Sequence, residues 1–310
     1  MHEIAEKFVA INKKNLGNMT CDEIKNSACR IFEQTLEDDD FYALKLPKNY
    51  FLLTLLKEEA LRFCKFLNDE QSVCEFKPIY VEKYFGPNSD FVPLELDIEN
   101  KKYIISGIVD RIDETESEYR IIDYKSGSTT NKNGAEKLFY GTKIQLFVYA
   151  YAIKNNMDKK FFGAFYLPIN NDIKQNAQTQ YSLSGFFEND VCMAIACDKD
   201  LPNAKKSNLI NVTLLTNKKE GEIKLRAKKN ILSTDELDSY LQYSLQLVKQ
   251  TITDIKSGYI DCSPFGENAC KYCSYKDFCK FAKNERVRRT EKYDVSAKTI
   301  NNLVKGGQNG

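Results

Sequence analysis

The spacing of apolar residues divides the chain into a helical first part and a sheet that follows it. Apolar residues recur at helical spacing in Ile24–Leu36 and again in Tyr50–Phe66, which is typical of helices that bury one face. Thr20 and Glu23 form a capping box, a common start of such a helix. We therefore predict a helical layer over residues 1–75 that covers the rest of the protein.

A change of apolar period marks the start of the sheet near residue 79. Four runs rich in β-branched and aromatic residues, separated by polar or glycine-bearing turns, favour strands. These runs are Ile79–Tyr84, Pro93–Ile98, Tyr103–Ile112 and Tyr119–Tyr124. An aromatic-rich helix over Ile144–Ile153 and a buried strand over Phe161–Leu167 follow them. The pattern predicts an α/β fold whose mixed sheet core occupies residues 79–168.

Beyond this core the sequence predicts an insertion, a long helix and a charged tail. Residues 170–230 are polar and weakly patterned, and we interpret them as an elaboration of the core. A helix that begins at a capping box is predicted over residues 233–258. After Phe281 the chain is charged, and we expect this tail, residues 282–310, to be partly disordered, especially from Lys305 to Gly310.

Composition narrows the classes of protein to which the chain can belong. The 45 lysines and arginines nearly balance the 44 aspartates and glutamates, so any contact with nucleic acid must come from local patches. The longest apolar runs, such as Phe51–Leu56, are far shorter than the ~20 residues that a membrane helix needs, and we expect no membrane span. Ten cysteines in a long chain that opens with Met-His-Glu favour a reducing, cytoplasmic setting over a secreted disulfide scaffold.

Acidic and basic side chains meet in the predicted sheet. Strand alternation places Asp123 and Lys125 on one face, about 6.6 Å apart along the chain. The preceding apolar run ends at Asp110, and a hairpin between the two strands brings Asp110 beside Asp123. Two carboxylates suit Mg²⁺ or Mn²⁺, and a neighbouring lysine can orient or deprotonate water and neutralise phosphate charge. Taken singly, these residues are equally typical of strand ends and solvated sheet edges.

Three short motifs carry a resemblance to a known family. In chain order they are Gly107-x-x-Asp110-Arg111-Ile112-Asp113, Ile122-Asp123-Tyr124-Lys125-Ser126-Gly127 and Gln145-Leu146-x-x-Tyr149. Their order and spacing resemble the motifs of RecB-type nucleases in the PD-(D/E)xK superfamily. The opening residues 1–8 resemble the amino-terminal helix of that family, on which a histidine binds metal. His2 is the only histidine in the chain.

The resemblance implies a restriction-endonuclease-like sheet flanked by helices, forming a single nuclease domain over residues 1–281. By position it implies that His2, Asp110 and Asp123 bind Mg²⁺ or Mn²⁺, that Lys125 is the catalytic base or charge stabiliser, and that Gln145 and Tyr149 support DNA and the site. Without the motifs, His2 would be interpreted as a solvated terminus, Gln145 as a helix-surface residue and Tyr149 as a core aromatic. Arg111 and Asp113 are predicted to form no more than a local ion pair.

Later segments narrow the resemblance within the superfamily. Tyr181–Asp190 and Leu232–Leu237 resemble AddB-type helicase-nuclease subunits, whereas CRISPR-associated exonucleases are more compact. The resemblance implies an exonuclease that cuts single-stranded DNA at ends during double-strand break repair and recombination, with an AddA-type subunit as partner. Two alternatives stay open: a non-catalytic domain that holds DNA and is stapled by a metal cluster, and a stand-alone CRISPR-associated exonuclease.

A cysteine cluster follows the long helix, within residues 262–281. Cys270, Cys273 and Cys279 have the close spacing typical of metal ligands in cytosolic proteins. They resemble the iron–sulfur segment of AddB-type subunits, in which three cysteines follow the nuclease motifs and one precedes them. The resemblance thus implies a [4Fe–4S] cluster in the full-length protein. A four-thiolate zinc site that also uses Cys262 is the alternative. The other cysteines lack ligand spacing and are predicted to be small buried hydrophobes.

The metal content of the cysteine segment can be tested directly. A [4Fe–4S] cluster needs four thiolates, and the resemblance places the first of them upstream of the histidine helix. We therefore expect this chain alone to carry no intact cluster. Anaerobic purification, followed by iron, sulfide and zinc analysis and visible absorption spectroscopy, checks this expectation. Stoichiometric iron and sulfide that disappear on Cys262→Ser would contradict it and make Cys262 the fourth ligand.

Overall fold

The structure is a computed structural model of the chain. It describes residues 1–38, 46–126, 134–169, 181–216, 223–226, 231–260, 262–266, 268–271, 273–279, 281 and 295–307. Gly127 of the second motif, much of the predicted insertion and residues 282–294 of the tail lie outside the described residues. The functional motifs are otherwise within the described part of the chain.

Three helices precede the first strand, as the apolar spacing predicts. They are α1 (His2–Asn12), α2 (Cys21–Asp38) and α3 (Tyr50–Val73), the last preceded by a short 3₁₀ turn at Pro47–Asn49. The capping box at the start of α2 is present: the Thr20 amide donates to Glu23 Oε2 at 2.8 Å and the Glu23 amide donates to Thr20 Oγ1 at 3.3 Å. Apolar side chains of these helices, including Phe8, Ile31 and Phe63, form one core cluster against the sheet.

The strands form one main sheet and two small ones. In chain order they are β1 (Lys77–Phe85), β2 (Leu94–Ile98), β3 (Lys101–Ile105), β4 (Gly107–Glu114), β5 (Glu118–Lys125), β6 (Lys160–Pro168), β7 (Ser184–Glu188), β8 (Lys206–Ser207), β9 (Val212–Thr216), β10 (Ile223–Arg226) and β11 (Ile231–Leu232). The main sheet has the order β1-β4-β5-β6-β7-β11. Because β5–β6 and β7–β11 pair in parallel and the other neighbours are antiparallel, the predicted mixed sheet is confirmed.

Two strand predictions differ from the structure. The run Tyr103–Ile112 is split at Ser106: β3 pairs with β2 in a separate hairpin, while β4 joins the main sheet. The predicted insertion contributes β7 to the main sheet, directly beside β6. The two strands approach so closely that a Cβ on Gly185 would lie 1.9 Å from the Ala164 carbonyl oxygen, so only glycine fits there.

The second face of the main sheet is covered by helices from the later half of the chain. They belong to the series α4 (Ala135–Phe139), α5 (Gln145–Lys154), α6 (Val191–Cys197), α7 (Leu201–Ala204), α8 (Thr234–Lys256), α9 (Lys276–Cys279) and α10 (Ala297–Gly307). Apolar side chains of α5 and α8 share a second core cluster with β4–β7. In the described part of the chain, no helix is both long enough and apolar enough to span a membrane.

The charged tail contains more structure than the sequence predicts. Residues Lys305–Gly307, where disorder is expected, are the last turn of α10. Ile300 and Val304 lie one helical turn apart and are buried where α10 packs against α8, and Lys305 Nζ lies 3.2 Å from Asp235 on α8. The two apolar positions, hidden among charges in the sequence, anchor this helix.

The cysteines outside the cluster divide into two groups. Cys64, Cys74 and Cys197 are buried, as predicted, whereas Cys21 and Cys192 are exposed. Both exposed cysteines lie in the first turn of a helix, on a side that faces solvent. The prediction of burial is therefore wrong for these two positions.

Four buried charges join the helical layer to the sheet. Arg111 donates to both carboxylate oxygens of Asp113, at 2.6 and 2.7 Å, and to Glu70 on α3 at 3.1 Å. Arg120 donates to Asp113 Oδ2 at 3.0 Å through Nε and also pairs with Glu70. Burial alone would raise the pKa of Glu70, but Arg111 and Arg120 lower it to about 2. The predicted local ion pair is thus one part of a four-residue network.

This network makes a stability prediction. Asp113→Ala leaves two buried guanidinium groups without their shared carboxylate, so we expect the free energy of unfolding to fall by about 3–5 kcal/mol. Urea unfolding followed by circular dichroism measures the change. Glu33→Ala is the control, because Glu33 pairs with Lys57 on the surface and should cost at most about 1 kcal/mol. Equal losses in the two variants would contradict the assigned role of the network.

Candidate functional site

The candidate site begins where β4 and β5 stop pairing. Their backbone register runs from Glu114–Tyr119 to Arg111–Ile122. Beyond it, the backbone amide of Tyr124 donates to Asp110 Oδ2 at 2.6 Å. The Asp110 side chain thus takes a ladder position between the two strands, and its charge is held next to Asp123.

His2 reaches this position from the first turn of α1. Ile4, Ala5 and Phe8 are buried in the core, and this packing fixes the start of the helix over the strand ends. His2 Nε2 lies 2.9 Å from Asp110 Oδ2, and the imidazole contacts the edge of the Tyr124 ring at 5.6 Å between centroids. The hydrogen bond to Asp110 raises the pKa of His2 above its ordinary value.

Asp123 and Lys125 lie on one face of β5, as strand alternation predicts. Lys125 Nζ is 2.6 Å from Asp123 Oδ2, and the Asp123 side chain is only 3% exposed. Ile122 and Tyr124 point to the opposite core cluster. Burial, followed by the nearby charge of Asp110, raises the pKa of Asp123 to about 6.

Gln145 and Tyr149 extend this group along α5. Gln145 Oε1 accepts a hydrogen bond from Lys125 Nζ at 3.2 Å, and Gln145 Nε2 donates to Tyr149 Oη at 3.1 Å. The two residues are one helical turn apart, which places them on the same face. A Cβ on Gly107 would lie 3.0 Å from the Tyr149 ring, so the glycine of the first motif leaves room for this tyrosine.

Two carboxylates in the site were missed from the sequence. His2, Glu6 and Glu82 each offer a ligand atom, and these three atoms lie within 4.8 Å of one another. In the described residues it is this trio, rather than the predicted trio of His2, Asp110 and Asp123, that converges so closely. Glu6 follows His2 by one helical turn, a signal that was available in the sequence. Glu82 carried no such signal, because it reaches the site only through the pairing of β1 with β4.

The donor atoms of the site fit a divalent cation. Asp110, Asp123, Glu6 and Glu82 present carboxylates to a region with Lys125 as the nearest lysine, and His2 adds an imidazole nitrogen. Burial, then the charge of Glu82, raises the pKa of Glu6 to about 7, and burial with the charge of Asp110 raises that of Glu82. Such mutual repulsion is relieved by a hard cation with oxygen ligands, such as Mg²⁺ or Mn²⁺.

The predicted cysteine ligands are only partly drawn together. Cys262 Sγ lies 3.4 Å from Cys279 Sγ, while Cys270 closes a short 3₁₀ turn and Cys273 is exposed. Within the described residues, no third sulfur joins the pair to within 4.8 Å. Tetrahedral zinc with Zn–S bonds of about 2.3 Å requires all four sulfurs about 3.8 Å apart, so this placement does not form the alternative zinc site.

Comparison with known proteins gives one family and a set of relatives. The sequence profile described as "PD-(D/E)XK nuclease superfamily" matches residues 1–280. Among similar curated proteins, one from Alkaliphilus oremlandii is 26% identical over 81% of this chain, and one from Alkaliphilus metalliredigens is 28% identical over 90%. A third, from Clostridium kluyveri, is 25% identical over 91%.

These three relatives share one name, which identifies each as the B-type component of an ATP-dependent helicase/deoxyribonuclease. They are much longer than this chain, which spans 23% to 26% of their length. The similarity therefore concerns one part of each relative.

The single histidine makes the core of the site accessible to spectroscopy. In EDTA, NMR titration of His2 should give a pKa above 6.5, because the Asp110 carboxylate stabilises the protonated ring. Asp110→Asn removes that charge and should lower the pKa of His2. Asp97→Asn, a change at an exposed position on β2, should leave it unaltered. A pKa of His2 that is the same with and without Asp110 would contradict the contact.

Proposed function

The chain belongs to the PD-(D/E)XK nuclease superfamily, and on that premise we propose that it is a Mg²⁺- or Mn²⁺-dependent deoxyribonuclease. The observation that supports this most strongly is the convergence of Asp110, Asp123 and His2 with Lys125 at the end of β5. Carboxylates that repel one another would also repel DNA phosphates, so a pure DNA-holding domain gains nothing from them without a cation. The site is therefore better suited to catalysis than to binding alone.

The protein groups have distinct roles in the proposed hydrolysis. Asp110, Asp123 and His2 hold the cation, with Glu6 and Glu82 as further carboxylates at its edge. When bound, the cation supplies Lewis-acid activation of the phosphodiester and of the attacking water. Lys125 is held by Asp123 and Gln145, which directs its ammonium group toward the phosphate charge that develops as the P–O ester bond breaks. Tyr149 fixes Gln145, and so orients Lys125 indirectly.

The biological setting that we propose comes from the names of the relatives. We propose that this domain is the nuclease of an AddB-type subunit, that it cuts single-stranded DNA at ends as an exonuclease, and that its partner is an AddA-type subunit. Its place would be double-strand break repair and recombination in the cytoplasm. The [4Fe–4S] cluster implied by Cys270, Cys273 and Cys279 stays a prediction of the sequence.

Two substitutions test the proposed mechanism. We expect Asp123→Asn and Lys125→Ala each to reduce cleavage of labelled single-stranded DNA in Mg²⁺ or Mn²⁺ by at least about a hundredfold, since each removes a group that acts in the reaction. EDTA should abolish cleavage by the unaltered chain. Gel assays measure the rates, and thermal unfolding verifies that the variants are folded.

Matched controls separate catalysis from general damage. Lys25→Ala changes an exposed lysine on α2 and should cleave at the unaltered rate. Calorimetry should show weaker Mn²⁺ binding in Asp110→Asn, because an amide is a poorer ligand than a carboxylate. Unaltered cleavage in Asp123→Asn, or unaltered Mn²⁺ affinity in Asp110→Asn, would show that the proposed site is wrong.

A further inference from the structure

A cleft of about 470 Å³ opens beside Lys125, on the side of the sheet that α5 and α8 cover. Its walls come from three separate elements. β5 contributes Lys125, β6 contributes Tyr166, and the turn between α4 and α5 contributes Thr142 and Lys143. Because β5 and β6 pair in parallel with Asp123 opposite Tyr166, this cleft and the carboxylate site meet at the end of the same two strands.

The turn that carries Lys143 is held in one conformation. Gly141 has a positive φ of 67°, which glycine adopts without strain. The amides of Thr142 and Lys143 both donate to the Lys137 carbonyl oxygen, at 3.0 and 3.3 Å, and the Thr142 hydroxyl donates to it at 3.2 Å. The backbone of Lys143 is therefore fixed at the rim, while its side chain stays exposed.

The charge of the cleft is opposite to that of the neighbouring site. Lys125 and Lys143 line it, and no carboxylate does so among the described residues. Its other walls are neutral: the Gln145 amide, the Thr142 hydroxyl and the Tyr166 ring, whose centroid lies 5.3 Å from Lys125 Nζ. Two cations with neutral polar and aromatic walls suit an anion that carries a sugar and a base. The volume lies in the range of small-molecule sites, roughly 300–1,000 Å³, so one nucleotide fits and a duplex does not.

We propose that this cleft binds the nucleotide next to the scissile phosphate of a single DNA strand, and that Lys143 pairs with the phosphate of that nucleotide. Lys125 then stands between the two subsites, with the cleaved phosphate on the Asp123 side and the neighbouring phosphate on the Lys143 side. This proposal rests on the proposed nuclease function. It adds a position at which the strand is held through its backbone, independently of base sequence.

The salt dependence of cleavage tests the role of Lys143. Each phosphate contact on single-stranded DNA contributes about 0.7 to the slope of log affinity against log salt concentration. We expect Lys143→Ala to make the slope of log kcat/KM shallower by about 0.7 and to lower kcat/KM about fivefold near 0.1 M salt, the upper range for an exposed ion pair. Lys143→Arg should retain the slope, because the charge is kept. Lys25→Ala lies on the helical layer, across the sheet from the cleft, and should match the unaltered chain.

The outcomes separate this subsite from the nuclease proposal. A structural disturbance by Lys143→Ala would lower kcat/KM without changing the slope. That result, or a variant identical to the unaltered chain, overturns the subsite while leaving the nuclease intact. If the unaltered chain neither binds nor cleaves single-stranded DNA with Mg²⁺ or Mn²⁺, both proposals fall. A shallower slope in Lys143→Ala that Lys143→Arg restores supports the subsite.

Discussion

The buried pairing of Glu70, Arg111, Asp113 and Arg120 is the interaction on which the arrangement of the site depends. Each of these side chains is at most 1% exposed, so each would be strongly destabilising without its partners. Two cations and two anions satisfy one another across α3, β4 and β5. Arg111 follows Asp110 directly in the chain, and its partner across the ladder, Ile122, precedes Asp123. The network therefore fixes the backbone at the last paired position before the two strands separate around the acids.

Separation of β4 and β5 at this position gives the site its chemistry. If the ladder continued, the Tyr124 amide would be occupied by a β4 carbonyl oxygen. It donates instead to the Asp110 side chain, which holds an anion near the buried Asp123 carboxylate. The pKa of Asp123 is raised because burial and a like charge both disfavour its ionised form. The fold thus maintains a concentration of negative charge that its own side chains only partly neutralise, which is the condition for binding a divalent cation.

Much of the fold and the centre of the site could be predicted from the sequence, because they depend on local patterns. The alternation around Asp123 and Lys125 and the short connection back to Asp110 lie within one hairpin, where spacing alone fixes proximity. Glu82 could not be found in this way, since it reaches the site through a strand pairing that no local pattern encodes. The order in α10 was missed for a related reason: Ile300 and Val304 have value only against α8. Gly185 could be understood only once β6 and β7 were known to be neighbours.

The distance in sequence between His2 and Asp110, 108 residues, has a consequence for how the site forms. The hairpin that brings the two aspartates together closes a short loop, whereas the imidazole joins them only after a loop of more than a hundred residues has closed, which costs more chain entropy and is slower. Partly folded chains that contain the hairpin hold the acids without the histidine. The complete set of metal-binding groups exists only in molecules that have docked the first helix on the finished sheet, so the competence to cut DNA is gained at the last stage of folding.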